Sequence, residues 1–117
     1  MKRICFTTRI DPARADEYRA AHAAVWPDML RALKTTGWHD YSLFLRPDGL
    51  LVGYLLSEDF AGSQQAMELT EVNARWQAAM GDFFVGDGDL RPDETFVVLE
   101  QVFHLEDQLA AVRTDET

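Results

Sequence analysis

Only one cysteine, Cys5, stands among 117 residues, so no internal disulfide can form and nothing suggests a secreted, stapled scaffold. Paired Cys/His spacings that would hold zinc are missing, and so is a glycine-rich phosphate loop. Asp87, Asp89 and Asp93 resemble a calcium loop only loosely, without the spacing or terminal glutamate of an EF-hand. No metal and no cofactor is therefore expected. The longest apolar-plus-glycine run, Leu50 to Leu56, covers seven residues, against about 20 for a membrane helix. The first residues read as a strand rather than as a leader, and a cytoplasmic location follows as the default.

Positive charge is also scarce. The chain has 11 Lys/Arg against 20 Asp/Glu, a net −9. Residues 1–60 hold eight of each sign, so the whole excess falls in residues 61–117, with three basic and twelve acidic side chains. Without a basic stripe, nucleic acid and anionic membranes are excluded as partners. A neutral small molecule fits this charge best.

What is present is globular: 47% hydrophobic residues with 11% aromatics, enough for one core in a chain of single-domain size. "KRICFTTRI" alternates, with Ile4, Phe6 and Ile10 on one face, and reads as a strand. Asp11-Pro12 opens a helix that should run to about Thr36 and stop at Gly37. "HDYSLFLRP" is a second strand, with Tyr41, Leu43 and Leu45 sharing a face. "RPDG" turns it into a third, "LLVGYLLSED". A second helix should reach about Phe84, with Met67, Val72, Trp76, Met80 and Phe83 at helical spacing. "TFVVLEQVFHL" reads as a long fourth strand. The order β-α-β-β-α-β with an antiparallel sheet is an α+β, ferredoxin-like plan. It covers residues 1–105 as one domain, and residues 106–117 form an acidic C-terminal tail. With both helices on one side, the other sheet face needs cover, and a homodimer packed sheet to sheet is the economical answer.

The first helix carries the chemistry. Tyr18, His22 and Trp26 are four apart and lie along one stripe, continued by Val25, Met29, Leu30 and Leu33. Pro27 cannot donate to the helix and crowds the preceding turn, so it should kink or restart the helix just after His22. A histidine on an apolar face is more often a core residue than an acting one. Here small neighbours (Ala20, Ala21, Ala23, Ala24) leave room beside it. Trp26 reads as packing. The Tyr41 hydroxyl, on an apolar face, must find a partner in protein, water or ligand. Trp76 is either core or pocket wall. Glu100 shares parity with Phe96, Val98 and Val102, so it borders a pocket, solvent or a partner. His39 and His104 read as edge residues. One titratable imidazole among aromatics and hydroxyls is equipment for proton transfer on a neutral ligand.

Four segments carry a resemblance: "EYRAAHAAVWPDM", "GWHDYSLFL", "TEVNARWQAAM" and "LEQVFHL". Together they resemble the L-rhamnose mutarotases over nearly the whole chain. The resemblance implies a cofactor-free enzyme, a dimer of dimeric α/β-barrel type that interconverts the α and β anomers of L-rhamnose or a related 6-deoxy aldose such as L-fucose. It also implies that His22 is the proton donor and that Tyr18, Tyr41 and Trp76 bind the sugar. The second proton group would be water, Tyr18 or Glu100. Two positions depart from the family: Trp76-Gln77 stands where some members have Trp-Trp, and Asp40 where Asn is frequent. Two rival readings remain, a cofactor-independent monooxygenase of the same dimeric barrel type and a non-catalytic sugar-binding module.

Overall fold

A computed structural model describes residues 1–84 and 94–116. Strand β1 (Lys2–Arg9) leads through a single 3₁₀ turn (Pro12–Arg14) into helix α1 (Ala15–Ala23) and helix α2 (Pro27–Thr35). Strands β2 (His39–Leu45) and β3 (Leu50–Ser57) form a hairpin. Helices α3 (Phe60–Glu68) and α4 (Glu71–Met80) follow, then strand β4 (Val97–Leu99) and helix α5 (Leu105–Glu116). The four strands lie in the order β2-β3-β1-β4, and each neighbouring pair is antiparallel. This is the ferredoxin-like order, with the middle of the sheet made by the first and third strands.

Both long helical stretches are split. Asp11 caps the opening turn, its carboxylate accepting from the Ala13 amide at 3.0 Å. α1 ends at Ala23, and the chain passes through Ala24 in extended geometry (φ −147°, ψ 77°) before Pro27 restarts α2 at its first position. Proline at that position forfeits only a donor the first turn could not have used. The second break is at Leu69-Thr70, where neither glycine nor proline marks it. There the Thr70 hydroxyl accepts from the Asn73 amide at 3.2 Å and starts α4 as its N-cap.

The core lies between the helices and the inner face of the sheet. Phe6, at 0% exposure, stacks on Phe96 with ring centres 3.9 Å apart and touches Tyr41 and Phe60 at 6.2 Å. Its partner across β3 is Gly53, where any Cβ would run into the Phe6 ring. Leu51 and Leu55, two residues to either side, complete this layer. Val52, Tyr54 and Leu56 alternate with them on the outer face, joined by Cys5, Thr7, Phe44, Val97 and Leu99 through the cross-strand register. On that face Phe44, Val97 and Leu99 are exposed.

Two expectations change. The second helix, expected to run unbroken to about Phe84, is two helices, α3 and α4, and the fourth strand is three residues long rather than eleven. Val98 and Val102 remain exposed, so extension beyond Leu99 would bury little, and the chain leaves the ladder. The acidic segment from Leu105 forms helix α5, tied to β1 by Arg3, which pairs with Asp107 at 2.6 Å and also donates to Gln101, ahead of the helix, at 2.8 Å. The acidic loop with Asp87, Asp89 and Asp93 lies outside the described residues. Among those described, no cluster of ligands could hold a metal ion, and no helix is long and apolar enough to cross a membrane.

Candidate active site

The helix break after Ala23 leaves His22 in the last turn of α1, half-buried beside a cavity of about 490 Å³ between helices and sheet. That volume is in the usual range for small-molecule sites. Tyr18, His22, Tyr41 and Trp76, drawn from α1, β2 and α4, all line it. The stripe residues Val25, Met29, Leu30 and Leu33 line it as well. Trp26 does not. It stands behind Trp76, edge-on at 5.0 Å, with the Arg75 guanidinium 5.9 Å over its ring. Its assignment to packing therefore fits its place.

His22 is tightly held. Its ring stacks on Tyr18 at 4.1 Å and meets Trp76 edge-on at 5.3 Å. Nδ1 lies 3.0 Å from the Tyr18 carbonyl oxygen, one turn back on the same helix. A carbonyl only accepts, so Nδ1 carries the hydrogen and Nε2 is the nitrogen left for a ligand. Burial lowers the His22 pKa below its ordinary 6.5, and the hydrogen bond to the carbonyl opposes this more weakly. The imidazole is therefore neutral at pH 7 and able to accept a proton at Nε2. The Tyr18 phenol is buried, which pushes its pKa well above the ordinary value. It therefore stays protonated at neutral pH. Glu100 is exposed and absent from the cavity wall.

One wall residue escaped the alternation pattern. Trp38 is buried, stacks obliquely on Tyr41 at 5.0 Å and directs its indole N–H to the Ser63 carbonyl at 3.4 Å. In a regular strand, residues three apart face opposite sides. Here a bulge between His39 and Ser42 breaks the register, and Asp40 adopts φ +50°. The extra residue turns His39 outward to pair with Leu56 and leaves Trp38 and Tyr41 on the same inner side. Asp40 itself is exposed. Asp and Asn are the side-chain-bearing residues best suited to positive φ, so an Asp at this site meets the same backbone demand as an Asn. The residues before a bulge give little warning of it. The polar pair Asn73 and Gln77 also lines the cavity, one turn apart on α4.

The family model described as L-rhamnose mutarotase matches residues 3–105. The chain belongs to the L-rhamnose mutarotase family. It is 37% identical over 106 residues to an L-rhamnose mutarotase of Burkholderia ambifaria, spanning 91% of this chain and 100% of that one. The counterpart in Acidiphilium cryptum is 38% identical over 106 residues, covering 90% and 99%. Among solved structures, an L-rhamnose mutarotase from Formosa agariphila superposes with a TM-score of 0.74 at 20% identity, covering 90% of this chain and 99% of that one. The tetracenomycin F2 cyclase of Streptomyces glaucescens follows at 0.55 and 19%, with the same coverage. At those identities the structural likeness speaks for the fold alone, and the mutarotase family rests on the sequence matches. Helix α5 begins where the family match stops.

Proposed function

We propose that the protein is an aldose mutarotase that exchanges the α and β anomers of L-rhamnose, or of a closely related 6-deoxy aldose. The observation that carries this reading is His22 at the wall of an aromatic-lined cavity, with Nδ1 committed to the Tyr18 carbonyl and Nε2 left to work. Family membership and the names of the relatives support it.

Anomer exchange breaks the bond between the anomeric carbon and the ring oxygen. The ring oxygen gains a proton and the anomeric hydroxyl loses one, which yields the open-chain aldehyde. Rotation about the adjoining carbon–carbon bond presents the other carbonyl face, and closure reverses both proton transfers. Neutral His22 acts as base at Nε2, and the imidazolium so formed acts as acid on the return, a role open to an imidazole because it can hold or release a proton. Tyr18 and Tyr41 orient sugar hydroxyls. The Trp76 indole covers the C–H side of the ring. With Glu100 outside the cavity, the proton for the ring oxygen comes from a water molecule or from the protonated Tyr18 hydroxyl in the cavity wall. The active unit in this reading is a homodimer whose outer sheet faces cover one another, working in the cytoplasm without metal or cofactor.

Exchange-rate NMR on L-rhamnose tests this directly. His22→Ala should lose roughly 10²–10⁴-fold of the catalysed rate, with the fold intact by circular dichroism. Equal rates in variant and wild type would remove His22 from the mechanism. The wild-type rate should also fall as pH drops through a midpoint below 6.5, because protonation takes away the base.

A further inference from the structure

The cavity wall holds two aromatic groups. Tyr18, His22 and Trp76 touch one another in the first. Trp38 and Tyr41 form the second, with ring centres 5.0 Å apart. Trp38 reaches the wall through the bulge at Asp40, a non-glycine residue held at φ +50°, and backbone outliers of this kind cluster at functional sites. Its indole is fixed from behind. The ring meets Phe60 edge-on at 5.2 Å, and the N–H donates to the Ser63 carbonyl at 3.4 Å. Phe60 and Ser63 belong to the start of α3, and neither lines the cavity. The indole therefore stands between the cavity and α3 as a partition. Its one polar hydrogen is spent on protein, so what it offers a ligand is apolar carbon in a set position. Such a wall cannot read hydroxyls. It limits size, because a packed interior yields little to an added atom.

Resting on the mutarotase reading above, we propose that Trp38 is a specificity-determining residue that closes the α3 end of the pocket and sets the largest sugar it admits. The substrate class is then a free aldose with no added substituent on the part of the ring that meets the indole. Four probes cover every ring substituent of L-rhamnose except the anomeric hydroxyl. They are its 2-, 3- and 4-O-methyl ethers, and L-mannose, which adds an oxygen at the exocyclic carbon.

The readout is kcat/KM for each probe relative to L-rhamnose, from anomer-exchange NMR. In wild type at least one probe should fall by roughly tenfold or more, the worth of one misfitted carbon in a tight pocket. Trp38→Leu should restore that probe by about tenfold relative to L-rhamnose, through KM more than kcat, and leave the other ratios within about twofold. Trp38→Phe, which keeps a ring against Tyr41 and Phe60, should restore it less. Should Trp38→Leu fail to fold, the Trp38→Phe ratio decides. A purely structural role for Trp38 would slow all the sugars alike and leave every ratio unmoved, which overturns the inference. Wild type that takes all four probes as well as L-rhamnose also overturns it, with the mutarotase reading left standing. Failure of wild type to exchange L-rhamnose overturns both.

Discussion

On the inner face of the sheet Phe6, Leu51 and Leu55 are sealed beneath the helices, whereas on the outer face Phe44 and Val97 leave 60% and 59% of their surface exposed. Both faces use the same residue types, and the strands alternate between them without favour. Burial of one face therefore comes from what is laid over it, not from the strands' own composition. The inner face meets two split helical layers, and the splits matter. Each break turns a new helix inward, and the gap between the turned elements is the cavity that holds His22. Among the described residues, the outer face leaves Phe44, Val97 and Leu99 exposed, and helix α5 touches it through Arg3. A contiguous apolar sheet surface of this kind marks an interaction site, and a second copy of the same face is the cover we propose for it.

The sharpest way to break this contrast is to disable each face in turn. His22→Ala should abolish most exchange activity, by roughly 10²–10⁴-fold, and leave the oligomeric state alone. A charge on the other side should do the reverse first. Val52→Asp or Leu99→Asp would bury unpaired carboxylates against their symmetry mates in a sheet-to-sheet dimer, raising its dissociation constant by at least ~100-fold. Sedimentation velocity across a concentration series reads this out. Wild-type protein that is monomeric at high micromolar concentration would refute the dimer. Variants that remain dimeric would place the contact somewhere other than these strands.

An intermediate effect should come from Asp40, the residue that lets Trp38 reach the inner face. Valine tolerates the +50° φ of that bulge poorly. Asp40→Val should destabilise the fold by about 1–3 kcal/mol and alter the environment of Trp38, visible as a shift in intrinsic fluorescence. Asp40→Asn should be close to neutral in both. A valine variant with unchanged melting temperature would show that the bulge survives without a residue suited to positive φ.

These contrasts also show what could be read without coordinates. The order of strands and helices followed from period together with the punctuation of Asp11-Pro12, Gly37 and Arg46 to Gly49, because alternation and helical spacing are both set by burial on one face. The stripe singled out Tyr18 and His22 and the strand face Tyr41, but it was the resemblance to the L-rhamnose mutarotases that joined them with Trp76 into one site, and the structure brings all four to one cavity. Trp38 was not, since a bulge reverses the facing of everything before it and leaves only Asp40 as a trace. The break at Thr70 was hidden for another reason: Glu68 to Glu71 suits a helix at every position, and only the hydroxyl of Thr70 favours starting one. The fourth strand was overestimated because alternating apolar residues promise a strand only where something lies over them.

The smallest effect should follow removal of residues 106–117. Helix α5 shows Leu105, Leu109 and Val112 to solvent, and the exposed Arg3–Asp107 pair ties it to the sheet. Surface ion pairs contribute about 0–1 kcal/mol, and a single short helix is marginal without packing. The family match ends at residue 105, and the relatives in Burkholderia and Acidiphilium are spanned almost completely without needing the rest. Among the described side chains of this helix, none lines the cavity. The truncated chain should therefore keep its L-rhamnose exchange rate within about twofold and its stability within ~1 kcal/mol. A larger loss of stability that grows on dilution would mean that the helix packs on a second copy, and would move the boundary of the outer interface from the sheet to the C-terminal arm.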